Sequence, residues 1–176
     1  RKSDNTINKL KYTLLGDPAL YLAIPQGQVV VDKINGAAVN SGTRHQLAAC
    51  SVAEIEGYVT DANGAADSGF EGTLSAILLC PKENIICKGN GSVMPLTYQD
   101  YNKTMFEGSV SVKDGRFTLR IPIPRDINYS DDDALLSLYA VNKDHSLDCN
   151  GHFTDIYMNG TDPNADADTQ GPSVMP

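Results

Sequence analysis

Arg116–Asp144 reads RFTLRIPIPRDINYSDDDALLSLYAVNKD, and its pattern decides the fold. Phe117, Leu119 and Ile121 alternate with Thr118 and Arg120, the period-two signature of a strand with one buried face. Pro122 and Pro124 then stop that strand, because proline lacks the N–H that a ladder needs. Asp126–Asp133 is polar and rich in turn formers. Leu136, Leu138 and Ala140, interleaved with Ser137, Tyr139 and Val141, begin a second strand. Two core strands joined by a proline-stiffened polar connection are what an all-β sandwich is built from.

The same signature extends outward. Met105–Val112 runs through the tight turn Asp114-Gly115 into Arg116–Ile121, which predicts a hairpin: Val110 and Val112 on one arm, Phe117 and Leu119 on the other. Phe70–Leu79 (FEGTLSAILL) is a strand, with Ile85–Lys88 expected to pair with its end. Leu96–Asp100 is a short strand. Ala53–Thr60 alternates well, and Gly57 inside it signals a bulge or close packing. Gln28–Ile34 (QVVVDKI) is followed by Asn35-Gly36, a strong hairpin turn signal. Asn150–Met158 (NGHFTDIYM) is the last strand. The count is roughly eight short strands with a turn about every 8–12 residues, the spacing of an all-β protein. An immunoglobulin-like β-sandwich is the first choice and a jelly roll the second. Tyr139 suits a tyrosine corner, although the usual signature around it is incomplete.

The two ends differ from this middle. Asn8–Ile24 (NKLKYTLLGDPALYLAI) is apolar without a clean period and is broken by Gly16-Asp17-Pro18. Pro25-Gln26-Gly27 is a second break and a domain boundary. The tail from Asn159 has no strand pattern. The chain opens on Arg1-Lys2-Ser3-Asp4 without an initiator Met and reads as a piece of something longer.

Composition narrows the function. The chain has 176 residues, 41% of them hydrophobic and 20% charged, enough for one domain with a real core. Its formal net charge is −8, and the densest cationic spot is the pair Lys9 and Lys11. That argues against nucleic acid as the main partner, because duplex binding needs clustered cations to displace counterions. No apolar run approaches the ~20 residues of a membrane-spanning helix.

Five groups of residues are weighed for chemistry. Cys149, His145 and His152 lie close together in KDHSLDCNGH, but a thiolate–imidazole pair needs the side chains on one side and within hydrogen-bond reach. None of Cys50, Cys80, Cys87 and Cys149 forms a CxxC, so zinc is unsupported. Cys80 and Cys87 flank a hairpin-like stretch; four mostly buried free thiols are the simpler reading. Asp162, Asn164, Asp166 and Asp168 place oxygen ligands at alternate positions, like the start of a calcium loop. The sixth position is Ala167 where such a loop wants glycine, and the twelfth is Ser173 rather than a bidentate Glu. A solvated acidic linker fits those departures better, and a calcium titration by calorimetry is expected to show no heat. Asp131-Asp132-Asp133 reads as a solvated turn. Tyr98, Tyr101 and Phe106 are the candidates for an aromatic carbohydrate platform, weakened by the absence of Trp.

Three stretches, in order, resemble a known family. Leu15-Gly16-Asp17-Pro18-Ala19-Leu20 resembles the closing segment of gingipain-type cysteine peptidase domains, in particular the PorU-type sortases of the type IX secretion system of Bacteroidetes. Tyr98–Ala140 is similar to that family's immunoglobulin-like domain, including Phe106-x-Gly108 and Pro124-x-Asp126-Ile127-Asn128-Tyr129. Gly160–Pro172 looks like its connection to a next β domain. The chain departs from the family at Asp131–Ala134, where a glycine is usual, and in its four cysteines.

The resemblance implies three parts: 1–25 as the end of a peptidase domain, 26–160 as the immunoglobulin-like sandwich, and 161–176 as an acidic linker. It implies a parent at the outer membrane and cell surface that removes C-terminal secretion signals from cargo. The catalytic Cys and His of such a parent lie upstream, so this chain inherits no catalytic residue. Expected partners are its own upstream peptidase domain and secretion-complex proteins or cargo. Self-association through residues 10–24 is also expected, since Leu14, Leu15, Leu20 and Leu22 would normally pack on that domain.

Overall fold

The computed structural model describes residues 24–40, 42–88, 94–127 and 129–165. The readings of Asn8–Leu22 and of Asp166 and Asp168 lie outside the described residues. The described residues form thirteen strands and no helix. In chain order these are β1 Gly27–Ile34, β2 Ala37–Ala38, β3 His45–Ala49, β4 Val52–Val59, β5 Gly72–Leu79, β6 Glu83–Ile86 and β7 Thr97–Asp100. They continue as β8 Thr104–Val112, β9 Arg116–Pro122, β10 Ser130–Asp133, β11 Leu135–Asn142, β12 Asp148–Phe153 and β13 Ile156–Thr161.

The main sheet has the order β8-β5-β11-β12-β1-β4-β9, with β2 added beside β1. Its two end strands are consecutive in sequence and are joined at the Lys113–Arg116 bridge. The sheet therefore curls until its ends meet, and is nearly closed. A second sheet, β10-β13-β3, carries buried Leu47, Ala49, Ile156 and Met158. β6 and β7 form a separate two-stranded ribbon.

The alternation in the sequence is what fills the interior. Phe117, Leu119 and Ile121 on β9 point inward, opposite Gly57, Ile55 and Ala53 on β4. Leu136, Leu138 and Ala140 on β11 face Leu78, Ala76 and Leu74 on β5, and all six are buried. Gly57 is a packing position: a Cβ there would collide with the Val30 carbonyl and the Phe117 ring. The bulge lies instead on β1, where the register shifts between Val31 and Lys33. That extra residue re-phases the strand, so Ile34 rather than Lys33 reaches the core. Asn35 and Gly36 have φ of 51° and 77°, the double left-handed geometry of a type I′ turn, and return the chain into β2.

Several expectations need correction. Met105–Val112 and Arg116–Ile121 do not zip into a hairpin; beyond the Lys113–Arg116 bridge, β8 pairs with β5 and β9 with β4. Each arm has a longer, better-matched partner, and the turn instead closes the curled sheet. Ile85–Lys88 does not extend β5; β6 pairs with β7. Asn150–Met158 is two strands, broken at Thr154–Asp155 so that β13 can cross to β3. Asp131–Asp133 is part of an edge strand paired with β13, not a free turn. Tyr139 is not a tyrosine corner: its hydroxyl donates to the Asp148 carboxylate at 2.9 Å, across the β11–β12 pair.

Three exposed carboxylates stabilise one end of the sheet. Asp61 accepts the Ala65 and Asn63 amides, which hold its pKa below the usual range. Glu71 is lowered by the Asp114 amide and then by Lys143, and Asp144 by the Ser146 hydroxyl and amide. Depressed carboxylates contribute stability above their unfolded pKa and lose it as pH falls through the folded value. Stability measured by urea unfolding is therefore expected to decline as pH drops below about 4–5, and Glu71→Gln is expected to flatten that decline.

Candidate functional site

Cys149 and His152 are three positions apart on β12, so they fall on opposite faces. Cys149 is fully buried, its Sγ 3.8 Å from the Thr60 carbonyl, and burial pushes its thiol pKa up. His152 is exposed, and His145 sits in a turn with φ of 58°. The thiol and the two imidazoles do not come together. All four cysteines are free: Cys80 and Cys149 buried, Cys50 half-buried, Cys87 exposed. Burial also raises the Cys80 thiol. A thiol reagent is expected to label Cys87 quickly, and Cys80 and Cys149 only on unfolding, as read by mass spectrometry.

The acidic candidates are tied up in bonds. Asp133 Oδ1 accepts from Arg44 Nε at 2.8 Å, and the Asp131 carbonyl accepts from Arg44 Nη2. Asp131 Oδ1 accepts from Asn159 at 2.9 Å, and the Arg44 guanidinium lies 4.8 Å from the Tyr157 ring centre. This cluster clamps the loop before β3 to β10 and β13. Asp162 accepts the Asn164 amide at 2.9 Å in a local turn. Among the described residues no three His, Cys, Asp or Glu side chains gather closely enough to hold a metal.

The aromatic candidates are spread apart. Tyr98 stands exposed on β7, and Tyr101 lies under the Lys82 ammonium at 5.0 Å. Phe106 packs against the core, its ring filling the space where a Cβ on Gly108 would be. That contact is the physical reason for a Phe-x-Gly pair on β8: positions two apart share a face. One buried group escaped the sequence reading. His45 on β3 is buried beside Phe153, with ring centres 6.2 Å apart, and its Nε2 has no hydrogen-bond partner. The HQLAA alternation, with His45, Leu47 and Ala49 inward, was the available signal.

Two surface features remain. The β6–β7 ribbon exposes Ile86 and Tyr98, with Leu96 and Met94 just before β7. A two-stranded ribbon has little stability of its own, and these four side chains are its exposed apolar groups and those of its approach. The second feature is the chain path. The chain enters where the Gln26 amide donates to the Asp148 carbonyl, beside the end of β4 that carries Val59. It leaves where the Asp162 amide donates to the Ala49 carbonyl, beside the start of β4 at Val52. The eight residues of β4 separate those points by roughly 25 Å at about 3.3 Å each.

The described residues form an all-β fold without a helix, with Gln26 and Asp162 held at opposite ends of β4. The crystal structure of dimeric latent PorU from Porphyromonas gingivalis contains a similar region, with a TM-score of 0.69 and 27% sequence identity. The match covers 85% of this chain and 14% of that one. Spo0M, a sporulation control protein from Bacillus subtilis, matches at a TM-score of 0.43 and 10% identity over 78% of this chain and 51% of its own, too weak to carry an argument. No protein-family model matches the sequence, and neither does any curated protein.

Proposed function

We propose that this chain is a non-catalytic, immunoglobulin-like domain of a PorU-type surface sortase, bracing the peptidase domain and spacing it from the parent's C-terminal domains. The observation that carries the reading is the PorU match over 85% of the chain, in line with the ordered sequence stretches. Entry and exit at opposite ends suit an in-line spacer. The two halves of the curled sheet, β8-β5-β11-β12 and β1-β4-β9, face each other across the core and support a sandwich-like description. In this reading residues 1–25 close the peptidase domain and residues 161–176 link onward. The parent acts on C-terminal secretion signals of cargo at the outer membrane surface.

The exposed ribbon favours a second reading, a module that binds cargo or secretion-complex partners. A replacement experiment separates the two. In the parent, residues 26–160 are exchanged for an unrelated β domain of similar span. The bracing reading predicts that signal removal falls because the peptidase domain loses its support, while cargo still binds. Loss of cargo binding with an intact, active peptidase domain would favour the second reading.

A further inference from the structure

Five Asn-Gly pairs occur in the chain: Asn35-Gly36, Asn63-Gly64, Asn90-Gly91, Asn150-Gly151 and Asn159-Gly160. Such a pair can cyclise, because glycine has no side chain to keep its amide nitrogen from the preceding carboxamide. Asn90-Gly91 lies outside the described residues, and the other four differ in what holds them. Asn35 is engaged across its hairpin, with Oδ1 accepting from the Glu54 amide at 2.8 Å. The Gly64 amide donates to the Asp61 carbonyl at 3.1 Å rather than to Asn63. Asn150 and Gly151 are fixed in the β11–β12 ladder, opposite Tyr139 and Leu138.

Asn159-Gly160 is arranged differently. It lies on β13 where the register against β3 shifts between Met158 and Thr161, and Gly160 takes a φ of 72°. The Gly160 amide donates to Asn159 Oδ1 at 2.7 Å. Its nitrogen is therefore within about 3.9 Å of the Cγ that carries that oxygen. Asn159 Nδ2 pins the other end of the carboxamide by donating to Asp131 Oδ1 at 2.9 Å. The Asn159 backbone carbonyl accepts from Gln46 Nε2 at 2.6 Å. Nucleophile and electrophile are thus held close and oriented, which lowers the entropic part of a barrier.

We propose that Asn159 is a site of spontaneous deamidation favoured by the fold. Hydroxide removes the Gly160 amide proton, and the nitrogen lone pair attacks Asn159 Cγ while the carbonyl π pair moves to Oδ1. That pair returns, and Nδ2 leaves as ammonia with a proton from water, closing a five-membered imide. Water then opens the imide at either carbonyl, giving an aspartyl or an isoaspartyl residue. The change removes the donor that Asp131 accepts and sets a second carboxylate beside it. The tie between β10 and β13 then becomes a repulsion. The isoaspartyl form also adds a backbone methylene to β13 just before Thr161 pairs with Ala49.

The test incubates the folded 176-residue chain in mildly alkaline buffer, with a second sample held in urea. Each Asn-Gly peptide is followed by mass spectrometry for amide-to-acid conversion. In the folded chain Asn159 is expected to convert about tenfold faster than Asn35, Asn63 and Asn150. In urea the four rates are expected to converge, because all four carry the same following glycine. Equal rates at the four sites in the folded chain would overturn the proposal. So would an undiminished lead for Asn159 in urea, which assigns the reactivity to local sequence and not to the fold. Asn159→Asp, a permanent mimic of one product, is expected to lower the urea midpoint; an unchanged midpoint overturns the stated effect on the β10–β13 tie.

Discussion

Phe117→Ala is expected to cost about 3–5 kcal/mol of stability, close to the upper end for a single truncation. Phe117 is buried on β9, in the main hydrophobic cluster. It faces Gly57 across the β4–β9 ladder, where no side chain stands to fill the space it leaves. The cavity would therefore stay open, and the cavity penalty adds to the lost transfer energy. Urea unfolding should show a lower midpoint with an unchanged slope, because the change acts on the folded state. A loss under 1 kcal/mol would mean that β9 is not a core strand.

Gly57→Ala is expected to cost at least about 1–3 kcal/mol by overpacking. Its new Cβ would meet both the Phe117 ring and the Val30 carbonyl. A side chain can move away but a strand carbonyl in its ladder cannot, so the two contacts are separable. In the Phe117→Ala background the glycine substitution should cost less, yet still more than nothing, since the carbonyl clash remains. That non-additivity, read from a double-mutant cycle by urea unfolding, is the signature of direct contact. Strictly additive losses would place the two residues apart.

The core was legible in the sequence because burial alternates with period two wherever one face is solvated. β4, β5, β9 and β11 lie where the alternation places them, and Asn35-Gly36 turns the chain as its residue types require. Pairing was not legible, since period two fixes which face is buried and not which strand lies alongside. The Asp114-Gly115 turn thus read as a hairpin, although its two strands close the sheet by pairing elsewhere. Asp131–Asp133 read as a turn because its partners are remote: Arg44 and Asn159 lie 89 and 28 residues away from the carboxylates they bind. The candidate dyad failed for the same geometric reason that made the strands readable. A spacing of three on a strand puts Cys149 and His152 on opposite faces.

The proposal that this chain is non-catalytic is tested most directly by incubating the isolated chain, as wild type and as Cys149→Ala, with a cargo protein bearing its C-terminal secretion signal. Cleavage is followed by mass spectrometry. A non-catalytic domain, with Cys149 buried away from both nearby imidazoles, predicts intact cargo with either protein. Cleavage by the wild type that disappears in Cys149→Ala would contradict it.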